Sequence, residues 1–385
     1  MRPVDIGTAM KRLLRSANAG LPYLTRKGAV LEAIGRAHGR GEYGEWPAVC
    51  FTRTEAGEKT RNVWGYPGVD TLEEQRYFVP WLGVEKMFAF RSALHDPDRV
   101  DTSITRLLRG KRGSEVVQCI DFSGFDSTVH PELAVRAFDV IGSYFQDVAT
   151  PDLERIVDRF VTIPIVTPVG VYSGVHGVPS GSTWTNSIDS LVQFLVSGHS
   201  ALKCQIQGDD GVYVIEETKM ADFADRWARF GFVVSDDKTR TFSDQEAVYL
   251  QRYYHPSYPT RRWDAGRLVR DDSTLGGVYS LHRALGRLVY PDVWTNTKQE
   301  GISGRDYWSL RSIAILEGCK HHPAFAAFVK LVRDWDKHGL EFGQSGLRAY
   351  SRLQEARVRA GSAYGMDREA GLGLFSTVQI LKGME

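Results

Sequence analysis

The sequence predicts an α+β fold: strands, a hairpin among them, interspersed with helices, followed by a helical C-terminal part. Three observations carry this. Gln205 to Val214 reads as strand, tight turn, strand, with Gly208-Asp209-Asp210-Gly211 at the turn. Glu115 to Ile120 has the composition of a buried strand and ends in Asp121. From about residue 277 the pattern is mostly helical, over 278–290, 304–319, 323–337 and 344–360.

The turn is the chemically loaded stretch. Gly208 and Gly211 permit the positive φ values that such a turn tends to need. Two Asp side chains at one tip repel each other unless a cation neutralises them. A hairpin built to hold both asks for a divalent metal with oxygen ligands, Mg²⁺ first. The competing reading is a solvated acidic turn, since Asp and Gly are common turn residues.

Length and composition set the frame. A chain of 385 residues is long enough for two or three subdomains with a sizeable core. No apolar run reaches the roughly 18 to 20 residues that a membrane span requires, and the start, Met1-Arg2-Pro3-Val4-Asp5, has no signal-peptide core. Cys50, Cys119, Cys204 and Cys319 are scattered, which fits a reducing compartment without a disulfide framework. Cys319-Lys320-His321-His322 matches no usual zinc spacing and reads as a basic helix end. The net charge is +1, but it is unevenly spread. Residues 1–61 carry eleven Lys/Arg against six Asp/Glu, and residues 251–290 seven Arg against three Asp. Two basic flanks around an acidic middle suit a polyanion channel with a metal site in its floor, although solvated basic faces have the same composition.

In chain order, residues 6–16 read as a short basic helix. A small-residue loop from Ser16 through Gly20 and Pro22 to Tyr23 follows, then a helix near 29–39. Arg53 to Pro67 alternates as a β-ribbon with its turn at Gly57, which would put Lys59 and Arg61 on one strand face, where two cations could clamp a triphosphate. An exposed charged edge strand is the alternative there. Residues 71–95 and 99–110 read as helices. After Asp121 and Asp126 come helices over 131–147 and 151–160 and strands over 161–172. The Gly/Ser loop from Gly174 through Gly177, Ser180 and Gly181 runs into a helix from Thr185 to Ser197 with an apolar stripe of Ile188, Leu191, Val192 and Leu195. A Gly/Ser loop before a helix N-terminus is an anion-cradling arrangement, weak as a lone motif. Beyond the hairpin come a helix over 221–230, a short strand at 232–234, a charged loop at 235–240 with Lys238, and one strand over 249–254.

The combination is more specific than its parts. Two strands that present Asp121, Asp209 and Asp210 side by side can hold two Mg²⁺ ions, and such a pair, about 3.5 to 4 Å apart, serves phosphoryl transfer. Upstream cations would neutralise a triphosphate, and the basic flanks would track a polynucleotide backbone.

In this order and spacing the chain resembles a viral RNA-dependent RNA polymerase. Ser16 to Tyr23 resembles the template-entry motif G, and Arg53 to Arg61 the basic motif F. Asp121 to Asp126 matches motif A, Ser180, Gly181 and Thr185 match motif B, and Gly208 to Asp210 matches motif C. Lys238 resembles the motif D lysine and Leu250 to Tyr253 the motif E strand. The wording of Gly177 to Ser182 and Arg61 to Trp64 is most similar to the partitivirus and picobirnavirus group, which has double-stranded RNA genomes.

The resemblance implies a right-hand polymerase: fingers over 1–114, an antiparallel-sheet palm with an interleaved fingers segment over 115–260, and a helical thumb over 261–385. It implies two Mg²⁺ (or Mn²⁺) ions on Asp121, Asp209 and Asp210, with Lys238 as general acid toward the leaving pyrophosphate. It assigns the triphosphate to Lys59 and Arg61 with Arg53, and the ribose hydroxyls to Asp126, Ser180, Thr185 and Asn186. Ser16, Gly20, Pro22, Gly177, Gly181 and Arg252 would meet RNA. The implied partners are template and nascent RNA, NTPs and a viral capsid protein, with no membrane; the implied location is the host cytoplasm, inside the viral particle. Two features depart from the family pattern. The Asn often found four residues after the motif B Thr is Asp189 here; either Asp189 or Asn186, directly after Thr185, could partner Asp126, with Asn186 favoured. Relatives also carry a longer N-terminal region, so the chain reads as a compact member or a shortened one.

Other classes fit less well. A reverse transcriptase would put an aromatic before the paired Asp, where Gly208 stands, and a bulky residue where Asp126 stands. A non-catalytic RNA-binding or capsid-associated module needs none of Asp121, Asp209 and Asp210 together. A glycosidase-like carboxylate pair leaves the basic ribbon and the Gly/Ser loop without a purpose.

Overall fold

The computed structural model describes residues 1–54, 60–198, 203–264, 266–291, 297–298, 300–359 and 372–384. At its centre four antiparallel strands stand in the order Cys204–Gln207, Asp210–Glu216, Glu115–Ile120, Arg240–Phe242. All six residues of Glu115–Ile120 are buried because both faces of the sheet are covered. Alternation divides the side chains. Val116, Ile120, Tyr213 and Ile215 pack with Trp184, Ile188 and Trp227 on one face. Val117, Cys119, Val212 and Val214 pack with Val100, Ile104 and Leu108 of the Pro97–Arg109 helix on the other.

A second four-stranded sheet forms from the N-terminal ribbon and a later insertion. Thr60–Gly65 pairs with Ala48–Thr54, which runs parallel to Ile165–Thr167, itself hairpinned to Gly170–Tyr172. The chain between the central strands therefore returns to the N-terminal part. The helical C-terminal part has its own core, including Leu310, Ile313, Phe325, Val329 and Val378.

Several elements differ from the sequence reading. The helix expected over 71–95 runs over Gly68–Glu85, and the chain then turns through a short 3-10 segment, Ser92–Leu94. Residues 232–234 form no strand; Val234 makes only an isolated bridge with Phe122. The single strand expected over 249–254 is a hairpin, Ala247–Tyr249 against Arg252–Tyr254, turning at Leu250 and Gln251 with φ of 50° and 62°. Positive φ at both turn residues is what a two-residue hairpin requires, and the usual Gly or Asn signal is missing there. A further hairpin, Pro259–Asp264 with Arg267–Leu275, leads into the helical part, where Trp263 and Leu268 pack.

Candidate active site

The carboxylates meet through strand register. Ile120 pairs with Gly211 across the central sheet, and one step further sets Asp121 opposite Asp210. Gln207 pairs with Asp210 in the hairpin, so Gly208 and Asp209 form its tip. Gly208 has φ of 64°, the left-handed region that glycine enters without penalty. Asp209 is exposed. Burial pushes the Asp210 carboxyl up to about 7, and the charges of Asp209 and Asp121 push in the same direction. An all-oxygen set of mutually repelling carboxylates fits a hard divalent cation, which would relieve the repulsion.

The loop after the hairpin helix docks on the same strand end. Ser235 donates its N–H to the Asp121 carbonyl at 2.8 Å, and the Asp121 N–H donates to Thr239 Oγ1 at 3.3 Å. This brings Lys238 Nζ to 3.1 Å from Asp121 Oδ1.

Asp126 opens the short helix Phe125–Thr128 behind Gly124, whose φ is 64°. Burial first, then the charge of Asp209, raises its carboxyl, while Arg61 lowers it. Arg53 and Arg61 are both exposed and stand directly opposite each other in the ribbon. Like charges in that position are unfavourable until an anion bridges them. Lys59 lies outside the described residues.

The Gly/Ser loop is held by close backbone approach. A Cβ on Gly181 would lie 1.9 Å from Trp64 O, and one on Gly177 2.2 Å from Asp126 O. Trp64 N–H donates to Ser180 Oγ at 3.1 Å. Thr185 Oγ1 donates to Pro179 O at 2.8 Å and Ser182 O at 3.0 Å, closing the loop onto the helix start. Gly20 also approaches this ribbon: a Cβ there would lie 2.6 Å from Tyr66 O. Ser16 and Pro22 are exposed in the same N-terminal loop. Arg252 donates to Gly277 O at 3.0 Å and Gly318 O at 2.8 Å and lies over Tyr279, joining the hairpin to the helical part.

Sequence reasoning singled out Asn186 and Asp189 on the Thr185–Ser197 helix but missed the polar stripe that they form with Ser190 and Gln193. Asn186, Asp189, Ser190 and Gln193 recur at helical spacing and face the hairpin, while Leu195, expected in the apolar stripe, is 41% exposed. Ser190 Oγ accepts the Gly208 N–H at 2.7 Å. Gln193 Nε2 donates to Gly208 O at 3.2 Å and Asp209 O at 3.0 Å. Asn186 Oδ1 accepts from Arg91 at 2.8 Å. Asp189 is buried with Oδ1 unpartnered, and burial, then Asp126 and Asp209, hold its carboxyl well above the ordinary range. A second missed residue is Glu74 of the Gly68–Glu85 helix, which accepts from Ser182 Oγ and Thr183 N–H, each at 2.7 Å. No signal in the sequence marked it, because Glu74 lies in the polar run Glu73-Glu74-Gln75-Arg76.

Among the described residues, Asp98, Asp101 and His321 bring three ligand atoms within metal reach of one another. Their bonding disfavours a metal. His321 Nδ1 accepts the Arg261 N–H at 2.9 Å, so the proton of a neutral ring sits on Nε2, which lies poorly aligned 3.0 Å from Asp101 Oδ2. Lys320 Nζ stands 2.7 Å from Asp98 and supplies the positive charge.

Residues 52–265, more than half of the chain, match the family model described as viral RNA-dependent RNA polymerase. The chain is 29% identical to a potential RNA-dependent RNA polymerase of human picobirnavirus (strain Human/Thailand/Hy005102/-), over 86% of this chain and 64% of that relative. It is 25% identical to the RNA-directed RNA polymerase of Cryptosporidium parvum virus 1, over 61% of this chain and 51% of that one. It therefore spans less than two-thirds of these relatives' lengths. The crystal structure of the RNA-dependent RNA polymerase of a human picobirnavirus shares its fold, with a TM-score of 0.80 at 24% identity, covering 100% of this chain and 76% of the other.

Proposed function

Because this chain belongs to the viral RNA-dependent RNA polymerase family, we propose that it copies RNA, transferring ribonucleotides from NTPs to an RNA 3′-hydroxyl during viral genome replication and transcription. The observation that carries this is the register that sets Asp121 opposite Asp210 beside the Asp209 tip. Divalent cations held there, two Mg²⁺ or Mn²⁺ in this reading, supply activation of the attacking hydroxyl and charge neutralisation at the leaving oxygen.

The chain's own residues do the rest. Arg53 and Arg61, with Lys59, bind the triphosphate and orient its α-phosphate for in-line attack. Lys238 delivers a proton to the departing pyrophosphate from beside Asp121. Asp126, with Ser180, Thr185, Asn186 and Asp189 around it, reads the ribose hydroxyls, since a 2′-OH is both donor and acceptor. Ser16, Gly20, Pro22, Gly177, Gly181 and Arg252 meet template and nascent RNA. The fingers comprise 1–114, the palm 115–260 and the thumb 261–385; the pairing of Ile165–Thr167 with the N-terminal ribbon supports the interleaved segment. No helix among the described residues is long and apolar enough to cross a membrane. A viral capsid protein is the further partner proposed, with the enzyme at work in the host cytoplasm inside the particle.

The test is incorporation of labelled UTP, with the other ribonucleotides, on a short single-stranded RNA template, with and without primer, in Mg²⁺ and then in Mn²⁺. Asp209→Asn and Asp121→Asn should abolish product while RNA binding persists. Product that survives in either variant would sink the assignment of that residue. Loss of all product in the parent chain, with template still bound, would leave a polymerase-like binder.

A further inference from the structure

We infer that Arg91 is a positioning residue for the carboxylate turn, an inference that rests on the polymerase reading above. Arg91 is fully buried, in the segment between the Gly68–Glu85 and Pro97–Arg109 helices. Its Nε and one terminal nitrogen reach Glu85 Oε1 at 2.9 Å, and that nitrogen also donates to Asn186 Oδ1 at 2.8 Å. Its other terminal nitrogen faces Ser190 Oγ at 2.5 Å, Gln207 Oε1 at 2.8 Å and Ile206 O at 3.0 Å. One guanidinium thus joins the Thr185–Ser197 helix to the strand that leads into Gly208.

The path continues to the metal-holding tip. Ser190 Oγ donates to Asn186 O at 2.6 Å and accepts the Gly208 N–H at 2.7 Å. Together with Gln193, it fixes three backbone groups of Gly208 and Asp209. The direction in which the Asp209 carboxylate points is therefore set from the helix, and the helix is locked to the strand by Arg91. Glu85 is also fully buried and balances the charge while accepting from Ser187 Oγ at 2.6 Å.

Stability alone is a weak reason for such a pair, because a buried ion pair is often matched by well-packed apolar side chains. A planar fork of five donors does what apolar packing does not: it fixes the relative orientation of several acceptors on two elements. Lysine keeps the charge opposite Glu85 and has too few donors to span both elements.

The experiment compares the parent chain with Arg91→Lys, Ser190→Ala, their double variant, and Arg159→Lys as a control. Arg159 is a partly buried arginine in an ion pair, 2.8 Å from the buried Asp70, outside the proposed machinery. Four quantities are read: single-nucleotide turnover, half-saturating Mg²⁺, Mn²⁺ binding to the free protein by electron paramagnetic resonance, and melting temperature. Arg91→Lys and Ser190→Ala should each lower turnover roughly tenfold or more, as a displaced reacting group does, weaken Mn²⁺ binding and raise half-saturating Mg²⁺ while RNA affinity holds. The double variant should be little worse than the worse single one, because both act on one path. Arg159→Lys should lower the melting temperature and leave the metal dependence alone. Arg91→Lys with parental turnover and Mn²⁺ affinity would overturn the inference. So would losses that track melting temperature across all variants, the Arg159 control included. A parent chain with no metal-dependent product would instead count against the polymerase reading, and Mn²⁺ binding would still decide the role of Arg91.

Discussion

Lys238 Nζ stands 3.1 Å from Asp121 Oδ1, on a carboxylate assigned to the metal ions. Both side chains are substantially exposed, so the pair contributes little to folding. In the proposed reaction, lysine and metal would compete for one oxygen, and metal binding would free the ammonium to face the leaving group. Lys238→Ala should therefore slow single-turnover incorporation on the order of a hundredfold, the usual scale for loss of a general acid. The same variant should need less Mg²⁺ for half-saturation. Rapid-quench measurement over a Mg²⁺ series reads both, and an unchanged rate would make Lys238 a plain exposed lysine.

Glu74 links the Gly/Ser loop to pH. Burial pushes its carboxyl up to about 7, although its bonds to Ser182 and Thr183 pull the other way. A carboxyl raised from about 4.5 unfolded to about 7 folded contributes stability that is full below 4.5 and lost as pH rises through 7. The loss is on the order of 3 kcal/mol, or a few degrees of melting temperature. Asp210 has the same sign and is untouched by a change at Glu74. Lys27 is lowered to about 8 by burial while the Glu74 charge raises it, so loss of that charge lowers it further and flattens the fall in the same direction. Glu74→Gln should thus show a shallower fall in melting temperature between pH 5 and pH 8 than the parent chain. Parallel curves would refute the shift.

Gly181 tests whether the loop needs its close approach to the ribbon. A Cβ there would lie 1.9 Å from a backbone oxygen that has no side-chain freedom to move away. Gly181→Ala should separate the loop from Trp64, lower the melting temperature by several degrees and cut incorporation roughly a hundredfold. Gly286, in the Leu281–Val289 helix with nothing within 4 Å of its Cβ position, is the contrast. Alanine there should be neutral or slightly stabilising. Equal effects at the two glycines would mean that the contact is unimportant.

What was legible in the sequence was local. The carboxylate hairpin, the buried strand before Asp121 and the Thr185–Ser197 helix have periodicities and turn residues that act over a few positions. The Leu250–Gln251 turn was not legible, because its positive φ values are imposed on residues that rarely adopt them. Arg91 was not legible either. Its partners lie 6 to 116 positions away in sequence, and only the fold brings them together. Of the polar stripe, Asn186 and Asp189 were legible from their spacing to Thr185, whereas Ser190 and Gln193 carry no signal beyond helical spacing.

Asp189 is the most specific case within that stripe. It occupies the position where the family often has Asn, and it is almost fully buried, at 4% exposure, with Oδ1 unpartnered. Burial is the first cause of its raised carboxyl, followed by repulsion from Asp126 and Asp209. Cations at Asp209 would cancel one repulsion and leave burial and Asp126 in force. In the ribose reading proposed above, Asp189 acts through its protonated form, which has one O–H to donate and the shape of an amide. Asp189→Asn should therefore hold or raise the melting temperature and keep the preference for ATP over 2′-deoxy-ATP within about threefold, since the neutral donor persists. Asp189→Leu fills the same space without a donor and should erode that preference by roughly tenfold, the scale of one buried hydrogen bond to substrate. Competitive incorporation of the two nucleotides by both variants is the measurement. Equal preference in Asn and Leu variants would remove Asp189 from ribose selection and leave it to Asp126 with Asn186.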